Sequence, residues 1–224
     1  MVRERHFDQE LKHLNEKLFE MARLVEEAIG RAVKALVDRE PKIAEEVIRA
    51  DTTINFLEIE IDELCLKLLA LQQPLAVDLR FIASALKINN DLERIGDQAV
   101  NIAERTLDLL KQPLLKPLID IPRMATLAQK MVKDSLDAFV NRDTKLARDV
   151  CERDDEVDDL NDQIFRELLT YMMQDPKTIS RAVDLILVGR HLERIADLAT
   201  NICEDVVYLV DGKMIKHHVE DEKD

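Results

Sequence analysis

The chain has 224 residues, 46% of them hydrophobic and 35% charged, with four glycines, six prolines and no tryptophan. That balance suits a soluble, helix-rich protein with an aliphatic core, and leaves too few turn residues for an all-β fold. A net charge of −14 argues against nucleic-acid binding, which needs a basic face, and suits a cation or a basic partner surface. No apolar run nears the ~18 residues of a membrane span. The start, MVRERHFDQE, carries no signal-peptide apolar region. Three scattered cysteines (Cys65, Cys151, Cys203) without a CxxC read as reduced thiols of a cytoplasmic protein.

In chain order, apolar residues recur every three or four positions from Phe7 to Leu36, which predicts a first helix over about 8–38. Pro41 sits where a second helix would begin. That helix runs over 42–72, with Ile54, Leu57, Ile61 and Leu64 as its stripe, until Pro74 breaks it. A third follows over 76–111, with Ile88, Leu92, Ile95 and Ile102 inward. The segment PLLKPLIDIP, Pro113 to Pro122, holds three prolines in ten residues and marks a boundary.

The second half repeats the plan. At an offset of 103, Met21 matches Met124, Arg39 matches Arg142 and Asp51 matches Asp154; by the third helix the offset is 100. Leu92–Glu104 (LERIGDQAVNIAE) and Leu192–Glu204 (LERIADLATNICE) agree at nine of thirteen positions, where average composition gives roughly one. The predicted second-half helices are 120–141, 143–173 and 178–210. The fold class is therefore all-α: six long antiparallel helices in two tandem three-helix bundles related by internal duplication. The domains are a first repeat at 1–112, a Pro-rich linker at 113–122, a second repeat at 123–212 and a polar tail at 213–224.

Each LERI copy carries two carboxylates one helical turn apart, Glu93 with Asp97 and Glu193 with Asp197. At ~100° per residue they lie away from the apolar stripe. A solvated outer face explains one such copy. Three features favour a site. Like charges at i,i+4 repel by a few tenths of a kcal/mol. The pattern recurs while neighbouring surface positions change. The second helix of each half carries a matching acidic line, Asp51, Asn55, Glu58 and Asp62 against Asp154, Asp158, Asn161 and Phe165, with Asp162 beside them. Such oxygens suit Mg²⁺, Mn²⁺, Ca²⁺ or iron. The Glu-x-x-His signature of buried di-iron bundles is missing. Arg94 and Arg194 follow the first acid of each pair and read as ion-pair or outer groups. Asn101 and Asn201 could serve the site or a neighbouring helix. Gly96, matched by Ala196, reads as a close-packing position. Nucleotide, hydrolase and zinc-finger signatures are not evident.

The runs QPLAVDLRFIASALKINNDLERIGDQAVNIAE and LILVGRHLERIADLATNICE, in one chain at this spacing, resemble the phosphate-specific transport system accessory proteins, the PhoU family. The resemblance implies a non-enzymatic, cytoplasmic, often dimeric regulator that reaches the membrane only through its partners. It implies negative regulation of the phosphate-starvation response, by coupling the phosphate ABC transporter's ATPase subunit to a sensor histidine kinase. It also implies multinuclear iron or zinc on surface Glu/Asp-x-x-x-Asp pairs. Glu93/Asp97, Glu193/Asp197, Glu58/Asp62 and Asp154/Asp158 match that motif. Asp51 with Asn55 departs from it, since an amide replaces the second acid. The rival reading is a carboxylate-bridged multinuclear metalloprotein with enzymatic or metal-storage activity.

Overall fold

The computed structural model describes residues 6–72 and 74–212; the tail at 213–224 lies outside the described residues. The elements are α1 (His6–Asp38), α2 (Pro41–Gln72), α3 (Ala76–Leu110), α4 (Asp120–Asn141), α5 (Thr144–Glu152), α6 (Asp154–Gln174), a short 3₁₀ turn (Pro176–Thr178) and α7 (Ile179–Asp211). The four stretches expected to be helices 1, 2, 3 and 4 begin and end within about two residues of expectation. Pro122 sits inside the first turn of α4, where its missing N–H was without an intrahelical partner anyway.

The duplication reaches the turns. Arg39 and Arg142, equivalent at the offset of 103, both take left-handed backbone, with φ of 58° and 53°. That conformation costs a side chain about 1–2 kcal/mol, so both hairpins hold the same strained corner. Asp143 then caps α5, its carboxylate accepting from the backbone N–H groups of Lys145 and Leu146 at 3.0 Å.

One expectation fails. The single helix over 143–173 is broken at Arg153 into α5 and α6. Arg153 N–H bonds Val150 O, and Glu156 N–H bonds Arg153 O, three residues apart rather than four. Its side chain explains the break: Nε donates to Asp149 O at 3.1 Å and Nη1 meets Asp134 Oδ2 on α4 at 2.7 Å. Counting the broken helix as one, each half has three long helices, as the duplication requires.

The halves share one continuous aliphatic core. The most extensive packing between them joins α3 to α7, while α1 lies against α2 and α3, α4 against α7, and α1 against α4. Helices α3 and α7 run antiparallel: Lys87 Nζ meets Asp205 Oδ1 at 2.7 Å near one end, and Arg105 Nη1 meets Asp184 Oδ1 at 3.5 Å near the other. Between them Gln98 Oε1 lies 2.9 Å from His191 Nδ1. The two LERI stretches thus cross at mid-height. Phe81 and Phe139 stack across the junction with ring centres 5.4 Å apart. Among the described residues, no helix is long and apolar enough to cross a membrane.

Candidate functional site

Each LERI helix leans on the second helix of its own half, and the acids line the seam between them. In the first half the seam joins α2 and α3. Asp51, Glu58 and Glu93 are half-buried and Asp97 is exposed. Burial first, then Asp97, Glu58 and Asp51, push the Glu93 carboxyl above its usual range. Burial raises Asp51, with Asp97 adding and the Asn55 amide opposing. Burial and then Asp62 raise Glu58.

The second seam joins α6 and α7 and is more charged. Burial pushes the Asp154 carboxyl up to about 7, with Asp197, Asp158, Asp155 and Glu193 adding to it. Burial and then Asp197 raise Asp158. Burial also raises Glu193 and Asp197, in both cases against the opposing pull of Arg190. Like-charged groups that stay close and half-desolvated, rather than diverging into solvent, store unfavourable energy in the bare protein.

Amides brace both seams, from opposite helices. In the first half Asn89 of α3, fully buried, donates to Asp62 Oδ1 at 2.9 Å and to Glu58 O at 2.8 Å on α2. In the second half Asn161 of α6 donates to Glu193 Oε2 on α7 at 2.6 Å. The residue equivalent to Asn89 is Gly189, and a Cβ there would lie 2.8 Å from Asn161 Oδ1. Gly189 is therefore what lets Asn161 reach across. Asp62 is committed to Asn89, whereas Asp51, whose Asn55 neighbour departs from the paired-acid motif, stands among the acids that act on Glu93. The signal that could have found this is the equivalence of Asp51 with Asp154.

Arg94 is exposed and pairs with Asp91 at 3.2 Å. Arg194 is exposed and lowers the neighbouring Asp197 carboxyl. Asn101 and Asn201 are half-buried at equivalent levels. Asn55 turns onto its own helix, donating to Asp51 Oδ2 at 2.9 Å. Gly96 is a close-packing position: a Cβ there would lie 3.2 Å from Ile54 Cδ1 and 3.6 Å from Asp51 Oδ1.

For a metal, the donor chemistry fits a hard cation. Asp51 Oδ1 and its equivalent, Asp154 Oδ1, are both enclosed without a donor, so each seam holds a carboxylate oxygen lacking the partner that buried polar atoms normally have. Among the described residues, no three His, Cys, Asp or Glu side chains already converge to hold an ion. A cation would therefore have to draw Asp51, Glu58, Glu93 and Asp97, or Asp154, Asp158, Glu193 and Asp197, inward by side-chain rotation.

The PhoU domain model matches residues 18–106 and again 121–206. The phosphate-specific transport system accessory protein PhoU homolog of Aquifex aeolicus is 47% identical over 208 residues, covering 93% of this chain and 94% of that protein. That of Pseudomonas aeruginosa is 42% identical, covering 94% and 88%. The crystal structure of PhoU from Pseudomonas aeruginosa superposes with a TM-score of 0.90 at 42% identity, over 93% of this chain and 100% of that one. The phosphate transport system regulatory protein PhoU from Streptococcus pneumoniae gives 0.87 at 32% identity, over 94% and 100%. These relatives carry the names of accessory and regulatory proteins, not of enzymes.

Proposed function

The chain belongs to the PhoU family, and from that membership we propose that it is a regulatory accessory protein of phosphate transport that restrains phosphate uptake and the phosphate-starvation response. It acts by recognition, as an adaptor between the ATPase subunit of a phosphate ABC transporter and a sensor histidine kinase. In this reading it is a cytoplasmic homodimer and meets the membrane only through these partners. The observation that carries the mechanism is the seam of half-desolvated carboxylates, built twice on equivalent helix pairs.

Glu58, Glu93 and Asp97 with Asp51, and Asp154, Asp158, Glu193 and Asp197, are the groups that would hold iron, zinc, manganese or magnesium. A bound cation would supply positive charge that offsets the mutual repulsion of the acids and fixes their orientation. The chain's own contribution is to hold the two helices of each seam at constant spacing, through Asn89 in one half and Asn161 in the other.

The test is genetic and biochemical together. A strain lacking the protein receives either the wild-type chain or a Glu93→Ala, Asp97→Ala, Glu193→Ala, Asp197→Ala chain of verified fold. The expected result is constitutive alkaline phosphatase and loss of ATPase-subunit and kinase capture with the variant. Full repression and undiminished capture would overturn the assignment of the seams.

A further inference from the structure

Helix α2 packs against α1 and α3 on one side. An outer helix needs one apolar stripe, and α2 has it in Ile54, Leu57, Ile61 and Leu68, all buried. It carries a second. Phe56, Ile59 and Leu66 are 69%, 52% and 60% exposed, and at ~100° per residue they lie on the opposite side of the helix. They belong to a series, Arg49, Thr52, Phe56, Ile59, Glu63 and Leu66, spaced alternately three and four residues apart and exposed throughout. That is the heptad spacing of a coiled-coil seam, with Phe56 and Ile59 at its centre between Arg49 and Glu63.

The second half shows that the fold itself does not ask for this ridge. There the equivalents of Thr52, Phe56 and Ile59 are Asp155, Asp159 and Asp162, all exposed, and that of Glu63 is Arg166. The same outer face is charged and solvated in one half and apolar in the other. An apolar ridge rimmed by charge marks an interaction surface.

We propose that the outer face of α2 is where a second copy of this chain docks, α2 against α2 and antiparallel, about a twofold axis between Phe56 and Ile59. The inference rests on the homodimer of the proposed function and gives it a face. The occupant follows from the series, which is complementary to itself about that axis. Phe56 of each copy lies against Ile59 of the partner subunit, and Thr52 against the partner's Glu63. Arg49 lies against the partner's Leu66, one helical turn from the partner's Glu63. Each copy thus offers an Arg49–Glu63 attraction to the other, and no like charges of the series meet. Parallel pairing would set Arg49 on Arg49 and Glu63 on Glu63, and that repulsion selects against it.

The experiment is sedimentation equilibrium on the full chain, with circular dichroism to verify that each variant folds. The wild type should be a dimer at micromolar concentration. Phe56→Asp with Ile59→Asp, the charges that the second half carries, should weaken association at least a hundredfold. Leu169→Asp, at the matching place on α6, should leave it unchanged. Arg49→Glu alone should weaken association at least tenfold, and adding Glu63→Arg should restore it. A monomeric wild type, including one whose ridge is covered only by a different protein, would overturn the proposal and the homodimer together. A dimer undiminished by Phe56→Asp with Ile59→Asp would overturn this face and leave the homodimer standing. No loss with Arg49→Glu, or no rescue by Glu63→Arg, would overturn the antiparallel pairing.

Discussion

The two halves of the molecule solve one problem in mirrored ways. Each must keep a second helix and a third helix together across a seam of like charges. The first half places the bracing amide on α3, as Asn89, and reaches α2; the second places it on α6, as Asn161, and reaches α7 over Gly189. The first half leaves a cleft beside its seam, whereas the second closes the equivalent region with Met131 and the Arg153–Asp134 pair. What is preserved through the duplication is therefore the pairing of acids across two helices, not the means of bracing them.

The two halves should differ most in what their braces contribute to stability. Asn89→Ala removes a fully buried amide and leaves Asp62 without it, at an expected cost of about 2–3 kcal/mol in denaturant unfolding. Asn161→Ala, at a half-buried position, should cost about 1 kcal/mol on the same measure. Equal effects would show that the two braces are not inverted in importance.

The charge of the second seam gives the next effect. The Asp154 carboxyl titrates at about 7 in the folded protein against an ordinary 3.8. Between those values the folded state keeps a proton that the unfolded chain has lost. Stability of the metal-free protein should therefore fall as pH rises from about 4 to about 7, and level off above. The full shift would correspond to about 4 kcal/mol; because the side chain is only half-buried, screening reduces it to about 1–2 kcal/mol. Asp154→Asn should remove most of this slope and stabilise the protein at pH 8 by that amount, read from melts across pH. Asp51→Asn should do the same with a smaller amplitude.

The smallest effect lies in the LERI helices themselves. Ala196→Gly should cost about 1 kcal/mol through helix propensity alone. Gly96→Ala should change stability by under about 0.5 kcal/mol, since the propensity gain is offset by the 3.2 Å approach to Ile54. Thermal melts of the pair check this.

Much of this was legible in the sequence because helical period and duplication are local signals. The three-four spacing placed α1 to α3, the duplication placed α4, and helical rotation set both acid pairs off the apolar stripe. The break at Arg153 was not legible. The run from Thr144 to Gln174 contains no Pro or Gly, and the cause is a partner nineteen residues away, Asp134, on another helix. The antiparallel crossing of α3 on α7 was likewise hidden, because a period tells which face is apolar but not which apolar face it meets. Glu58 and Asp62 look alike as a spaced pair; only the structure shows that Asp62 is already held by Asn89.

On the proposed function the paired seams form two equivalent cation-binding sites. A calorimetric titration of manganese into the chelator-stripped full chain, repeated on Glu93→Ala, Asp97→Ala and on Glu193→Ala, Asp197→Ala, decides it. The predicted result is uptake at both seams in the wild type, with each double variant losing the uptake of its own half alone. Absence of uptake in the wild type, or uptake unchanged when both pairs are removed together, would contradict it.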